Sequence, residues 1–257
     1  MKRTLGLGCV LCASLGVAGE KEVADQALDR FFRAYLEADF ALRPLQATRC
    51  GDHRFDGRID DLSAAARAAR LAQVQQTLDA LPRAVDFAKL SRPAQIDYEI
   101  LRDELAADLW QSENVRRFED DPRVYGDYTT ECVFLLFTQS SLSPAANVEH
   151  AIARMAQVPR VLAEARANLR SPPRVVAETA IKQNQGAIAF YEREVFLLAG
   201  EGAPSGALKA AAQQAAEALR QHQQFLEKEL LPRANGSSSF SRDRKSTRLN
   251  SSHDQIS

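Results

Sequence analysis

The stretch that decides the fold is PPRVVAETAIKQNQGAIAFYEREVFLLAG, residues 172–200. One set of positions in it recurs at spacings of three and four, the period of one face of an α-helix: Ala177, Ile181, Asn184, Ile188, Tyr191, Val195 and Leu198. Pro172 and Pro173 suit the start of a helix, and Gly200 and Gly202 interrupt it. We therefore predict one long amphipathic helix between these proline and glycine pairs.

The same spacing recurs on both sides of this stretch. It predicts helices over 22–38, after Ser63 as far as Pro82, after Ser91 and Pro93, after Ser143 and Pro144, from a start or kink at Pro159, and over about 206–231. Only Glu131–Phe137 suggests a strand, and its unbroken apolar run fits a buried helical turn equally well. Because strands do not alternate with helices, we expect an all-α fold, an irregular array of about six to seven amphipathic helices.

The N-terminus has the three-part pattern of a secretory signal. Lys2 and Arg3 precede an apolar run, Leu5–Val17, and small residues at 17–19 offer a cleavage site. This run is shorter than the roughly 20 apolar residues that span a bilayer. We expect residues 1–19 to be a signal peptide of an exported, periplasmic or extracellular protein with no transmembrane segment after cleavage. A retained N-terminal helix is the alternative, and a lipoprotein anchor at Cys9 or Cys12 is a lesser one.

The C-terminus has no helical or strand pattern. Residues 243–257, DRKSTRLNSSHDQIS, resemble the conceptual translation of a sequencing adapter, of the kind found at the ends of metagenomic reading frames. We interpret this stretch as a disordered tail outside the fold. The expected organisation is a signal at 1–19, a helical half-domain at 20–242 and the tail at 243–257.

The charge excludes one class of partner. The whole chain has a formal net charge of −1, and without the two terminal segments residues 20–242 carry −4. No basic excess is available to neutralise phosphates, so we expect no nucleic-acid partner. Two cysteines remain in this region, Cys50 and Cys132. They are either two buried free thiols or, in an oxidising compartment, a disulfide.

Motifs for known catalytic centres are missing. His53, His150 and His222 are too far apart in sequence for a zinc motif with two histidines on one helical turn, and none is followed by glutamate. The chain has neither a Gly-x-Ser-x-Gly elbow nor a phosphate-binding loop. A Cys-His nucleophile has no local support. We therefore assign no catalytic residue, no metal ligand and no cofactor to this sequence.

Three polar features of the helices have both a structural and a functional interpretation. His222 lies on the apolar stripe of the last helix, where a core histidine is more common than a metal ligand. The acidic positions between 97 and 108 are expected to form a solvated face. Asn184, within the stripe of the long helix, must find partners for its amide. It either fixes the helix register or lines a cleft and contacts substrate.

The connection from Pro44 to Leu62 is rich in groups that ionise or form hydrogen bonds. It contains Pro44-Leu45-Gln46-Ala47-Thr48-Arg49-Cys50-Gly51-Asp52-His53-Arg54-Phe55-Asp56. Long ordered connections often serve a site. His53 and Arg54 are accordingly candidates for substrate contact, with a structural turn held by Asp52 or Asp56 as the alternative.

Several motifs in order resemble one family. The 44–56 segment is followed by Asp61-Leu62-Ser63, by IDYEILRDEL at 96–105, by ANLRSPPRVVAETAI at 167–181 and by LLPRA at 230–234. Together they resemble the bacterial proteins of the domain of unknown function 885 over roughly residues 25–240. The resemblance implies a zinc metallopeptidase-like protein about twice as long, with its His-Glu metal motif in the C-terminal half.

The resemblance carries no site residue over to this chain. We expect the chain to be a truncated N-terminal half, a helical wall of the substrate cleft that is itself inactive. Zinc, the peptide substrate and the missing C-terminal half then belong to the full-length parent. The alternative is a complete exported all-helical binding protein without catalytic activity.

Overall fold

The computed structural model describes residues 9–200 and 205–236, with side chains over 20–200 and 206–236. The α-helices are α1 (Cys9–Leu42), α2 (Pro44–Arg49), α3 (Ala64–Ala84), α4 (Arg92–Asn114), α5 (Arg117–Asp120), α6 (Arg123–Thr138), α7 (Pro144–Met155), α8 (Val158–Asn168), α9 (Arg174–Ala189), α10 (Val195–Ala199) and α11 (Ser205–Phe225). No strand occurs in these ranges, so the predicted all-α class is confirmed. The predicted tail at 243–257 and the start of the predicted signal lie outside the described residues.

The chain forms two compact units. Unit 1 comprises Met1–Asp39 and Ala68–Glu113, and unit 2 comprises Phe40–Arg67 and Asn114–Ser257. The core of unit 1 consists of apolar side chains from α1, α3 and α4 and from the connection between α3 and α4; its buried members are Leu28, Val74, Leu81, Val85, Leu90, Ala94, Tyr98, Leu101 and Leu105. The backbone N–H of Ser91 donates to Asp25 at 2.9 Å, which ties the start of α4 to α1 within this unit.

Unit 2 has the larger core, built mainly from α6, α7, α8, α9 and α11. Ser143 caps α7 as predicted, because its hydroxyl accepts from the backbone N–H of Ala146 at 3.3 Å. The stripe predicted for the last helix is buried throughout: Leu208, Ala212, Ala215, Leu219, His222 and Leu226. A π-turn, Leu226–Leu230, and a short 3₁₀ turn, Leu231–Arg233, follow α11.

The long helix predicted between Pro173 and Gly200 is interrupted by a π-turn. Five residues, Phe190–Glu194, join α9 to α10. This wider turn inserts one residue into the helical repeat and shifts the buried stripe by one position. Ala199 is therefore buried, whereas Leu198 is exposed, and the inward position predicted for Leu198 is wrong. Gly200 ends the segment at φ 81°, a left-handed conformation that favours glycine.

Two local predictions need correction. The helix expected to stop at Pro82 continues to Ala84, because proline removes one N–H donor but the last turn still closes with Val85 N–H donating to Leu81 at 3.1 Å. The run Glu131–Phe137 is part of α6, so the strand interpretation is wrong and the helical one is right. A short, unbroken apolar run has no periodicity by which a strand and a buried helix can be told apart.

The cysteines are unpaired in the described chain. Cys50 is exposed and Cys132 is buried, and both thiols are free. The disulfide is therefore not formed, and the expectation of two buried thiols holds only for Cys132. Burial raises the pKa of Cys132 to about 12. Within the described residues, none of the helices combines the length and hydropathy needed to cross a bilayer.

Candidate functional site

The segment from Pro44 to Asp56 is more ordered than a connecting loop. Pro44 opens α2, and Gly51, at φ 81°, lets the chain turn back after the helix ends. Asp52 then caps a 3₁₀ turn, His53–Phe55, by accepting from the N–H of Arg54 at 3.1 Å. The turn therefore fixes the backbone positions from which His53 and Asp56 project.

Arg54 lies on the surface of this turn. Its guanidinium donates to both carboxylate oxygens of Asp52, at 2.9 and 2.6 Å, and it stacks on Phe55. The hydrogen bonds from Arg54 hold the pKa of Asp52 below its usual value. Arg54 is thus exposed enough to meet a ligand, but its charge already serves the turn.

Asp56 is the centre of a buried polar cluster in unit 2. Its side chain is 0% exposed, and it accepts from Thr48 Oγ1 at 2.6 Å and from His53 Nδ1 at 2.8 Å. A buried carboxylate is costly unless such donors surround it. The structural alternative proposed from sequence, a turn held by Asp52 or Asp56, is consistent with these contacts.

Arg154 supplies the positive charge of the cluster from α7. Its side chain is 0% exposed, and Nη2 donates to Thr48 Oγ1 at 2.5 Å and lies 3.6 Å from Asp56 Oδ1. Nη1 donates to the carbonyl of Cys132 on α6 at 2.7 Å. Burial lowers the pKa of Arg154. Arg154, Thr48 and Asp56 therefore form one buried polar cluster that links α2, α6 and α7.

His53 connects the buried cluster around Asp56 to the protein surface. Because the carboxylate of Asp56 can only accept, the proton of the neutral ring lies on Nδ1, and Nε2 is left as an acceptor. Nε2 lies 3.1 Å from the hydroxyl of Ser141, which is exposed in the segment between α6 and α7. The result is a hydrogen-bonded chain from Ser141 through His53 to a buried Asp56.

A second histidine reaches the same carboxylate. His150, on α7, has its Nδ1 atom 3.8 Å from Asp56 Oδ2, beyond hydrogen-bond distance, and this nitrogen has no other partner among the described atoms. Sequence separation concealed the pair, since His53 and His150 are nearly a hundred residues apart. One feature of the sequence does indicate the cluster: the charged residue Arg154 stands at a buried position of the apolar repeat, three residues after Ala151 and four before Val158.

Asn184 and His222 belong to other surroundings. Asn184 is 2% exposed, and its amide donates to the Leu219 carbonyl at 3.0 Å and to Gln223 at 2.7 Å, both on α11. These bonds favour its role in packing α9 against α11 over contact with substrate. His222 is 3% exposed, and its ring packs 5.7 Å from that of Phe225. Burial lowers the pKa of His222 to about 4.

A separate open groove of about 510 Å³ runs along α6 and α9. Its lining residues are Gly126, Asp127, Thr130, Glu131, Phe134, Gln183, Gly186 and Ala187. Burial raises the pKa of Asp127, and Glu131 pairs with Arg49. Its acidic groups are thus either paired or partly desolvated, and none belongs to the cluster around Asp56.

Comparison with known proteins gives a family and a fold. The family model described as "Bacterial protein of unknown function (DUF885)" matches residues 44–252. The fold is similar to "the structure of a putative lipoprotein of unknown function from Shewanella oneidensis", with a TM-score of 0.68 and 23% sequence identity. The match covers 77% of this chain and 37% of that one, so this chain spans little more than a third of the solved protein. None of the curated proteins matches it.

Proposed function

Since the chain belongs to the bacterial family of unknown function DUF885, we propose that it is the N-terminal helical part of a longer, exported, metallopeptidase-like protein. Its role in that protein is to hold the peptide substrate beside the centre that cleaves it. The limited coverage of the solved structure, 37% of that chain, supports a longer protein.

The described residues do not fit the zinc ion that this proposal implies for the longer protein. No group of three His, Cys, Asp or Glu side chains is arranged there to hold a metal ion. The proton on His53 Nδ1 is engaged with Asp56, and His222 is enclosed by Phe225 and lies near the cation of Arg166. We therefore assign no step of hydrolysis through zinc to this chain.

The observation that supports peptide binding is that Asp56 fixes the orientation of the His53 ring while part of the ring remains exposed. A ring clamped by a fully buried carboxylate loses little conformational freedom when a ligand contacts it, so the binding cost is small. Its side chain remains 17% exposed, and Arg54 offers a guanidinium on the same turn. His53 Nε2, an acceptor, suits a peptide backbone N–H, and the Arg54 guanidinium suits a carboxylate.

Zinc and peptide binding are tested on the purified 257-residue chain. We expect less than stoichiometric zinc after incubation and dialysis, measured by elemental analysis. We expect a fluorescent peptide library to bind, and His53→Gln to weaken the selected peptide, whereas Arg174→Gln, an exposed change on α9, leaves it unchanged. Tight stoichiometric zinc, or equal affinity in both variants, contradicts the proposal.

The remainder of the gene gives an independent test. A clean assembly of the locus should continue beyond residue 242 and encode a His-Glu metal motif. A stop codon at this position would instead favour the second candidate, a complete exported binding protein. The observation in its favour is that each unit already has a buried apolar core of its own.

Solution behaviour separates these two candidates. Exposed apolar side chains, among them Ile100 on α4 and Leu197 on α10, should bind a hydrophobic dye or cause association if further helices normally cover them. A monodisperse monomer with cooperative unfolding supports the complete binding protein. Sedimentation velocity and dye fluorescence measure both properties.

Export is part of the same proposal. The N-terminal pattern supports it, and the similarity to the putative lipoprotein from Shewanella oneidensis keeps the anchor at Cys9 or Cys12 as the alternative. Expression in a Gram-negative host followed by fractionation should place the chain in the periplasm. Labelling by radioactive palmitate that is lost in Cys9→Ser or Cys12→Ser would establish the anchor.

A further inference from the structure

We propose that Ser141, His53 and Asp56 form a serine nucleophile that hydrolyses carboxylic esters without a metal ion. Their hydrogen-bonded order is that of nucleophile, general base and the acid that orients the base. This activity is separate from the metallopeptidase proposed above, and either proposal can fail without the other.

The Ser141–His53 and His53–Asp56 distances are those expected between a nucleophile, its general base and the acid that orients the base. Ser141 Oγ lies 3.1 Å from His53 Nε2, and His53 Nδ1 lies 2.8 Å from Asp56 Oδ2. Both fall within hydrogen-bond reach, the geometric requirement for a base and its orienting group. The tautomer fixed by Asp56 leaves Nε2 free to take the hydroxyl proton.

The cluster below the histidine holds this geometry. Asp56 is fully buried and is kept in place by the hydroxyl of Thr48 and by the buried guanidinium of Arg154. When His53 takes a proton, the new imidazolium lies directly against this carboxylate, which stabilises the charge. The arrangement forms no known sequence motif, because Ser141 is not flanked by the glycines of a Gly-x-Ser-x-Gly elbow.

The nucleophile itself is accessible. Ser141 is exposed, and it precedes by two residues Ser143, the N-cap of the 12-residue helix α7. The N-terminus of a helix carries a partial positive charge, which favours negative charge that develops nearby. An ester carbonyl that approaches Ser141 from solvent therefore meets a nucleophile and a favourable field.

The reaction proceeds in two balanced steps. Ser141 Oγ bonds to the carbonyl carbon while its proton passes to His53 Nε2; the intermediate collapses, and the alcohol leaves with that proton. Water then gives a proton to His53 Nε2 as its oxygen bonds to the acyl carbon, the carboxylic acid leaves, and the proton returns to Ser141. The net reaction converts one ester and one water to an acid and an alcohol.

The test uses the full chain with a fluorophosphonate probe and p-nitrophenyl acetate, both in the presence of a metal chelator. We expect one probe adduct, located on Ser141 by peptide mass mapping, and an initial burst of about one equivalent of p-nitrophenol. Ser141→Ala should lose the adduct and the burst. Ser112→Ala, a matched change of an exposed serine on α4, should retain both.

The histidine supplies a second criterion. His53→Gln should lower the acylation rate by about 100-fold or more, since general-base catalysis contributes factors of this size. Circular dichroism checks that each variant retains its helices. An adduct on another residue, equal rates in wild type and Ser141→Ala, or no reaction at all would overturn the proposal.

Discussion

Replacing Arg154 with methionine removes the cation from the buried cluster of unit 2 while keeping an unbranched side chain that matches the arginine as far as Nε. The variant loses the hydrogen bonds to Thr48 and to the Cys132 carbonyl. It removes the guanidinium that lies 3.6 Å from the carboxylate of Asp56, which is 0% exposed. Arg154→Met therefore tests whether the cluster holds α2, α6 and α7 together.

The expected cost is about 4 kcal/mol in the free energy of unfolding. Breaking a buried ion pair by removing one partner costs roughly 3–5 kcal/mol, because the other charge remains desolvated. With a urea m-value of about 2 kcal/mol per M, the unfolding midpoint should fall by about 2 M.

Urea unfolding followed by circular dichroism at 222 nm measures this change. Trp110, the single tryptophan, lies on α4 in unit 1, so its fluorescence follows that unit separately. The matched control is Arg160→Met on α8, since Arg160 pairs with Asp61 at the surface. An exposed pair of this kind contributes about 0–1 kcal/mol.

A loss of less than about 1 kcal/mol in Arg154→Met would refute the reasoning. A double-mutant cycle with Asp56→Asn adds a stricter criterion. In the Arg154→Met background, neutralising Asp56 should cost at least about 1 kcal/mol less than in the wild-type chain. Simple additivity would show that the two charges are not coupled.

Three further outcomes are expected. His222 should cost the chain about 2 kcal/mol of stability between pH 7 and pH 5, because its pKa is about 4 in the folded state and near 6.5 in the unfolded state, so the unfolded chain takes up the proton first. Urea unfolding at both pH values measures this loss, which should be absent in His222→Leu. Asn184→Ala should cost about 1–3 kcal/mol in thermal or urea unfolding with peptide affinity unchanged, and a weaker affinity at unchanged stability would show substrate contact instead. With Cys9 and Cys12 replaced by serine, Ellman's reagent should titrate Cys50 in the native chain and Cys132 only after denaturation, and two reactive thiols in the native chain would contradict the burial of Cys132.

Periodicity predicted the helices well wherever one face meets a core and the other meets water. The start of α7 at Ser143 and the buried stripe from Leu208 to Leu226 are examples, since the residues that indicate them are close together in the sequence. It failed at the π-turn of Phe190–Glu194, which moved the buried position from Leu198 to Ala199. Tyr191, within this turn, donates its hydroxyl to the Thr129 carbonyl on α6, a contact between residues far apart in the chain that helical periodicity does not show.

The sequence by itself determined the helical class, the family motifs and the candidate turn at His53, because each depends on residues near one another in the chain. Only the tertiary structure brought Ser141, His150 and Arg154 to Asp56, across separations of 85 to 98 residues. The physical reason is that a buried carboxylate takes its partners from whichever helices pack around it. Their spacing in the chain then follows the path of the backbone through unit 2 and forms no motif.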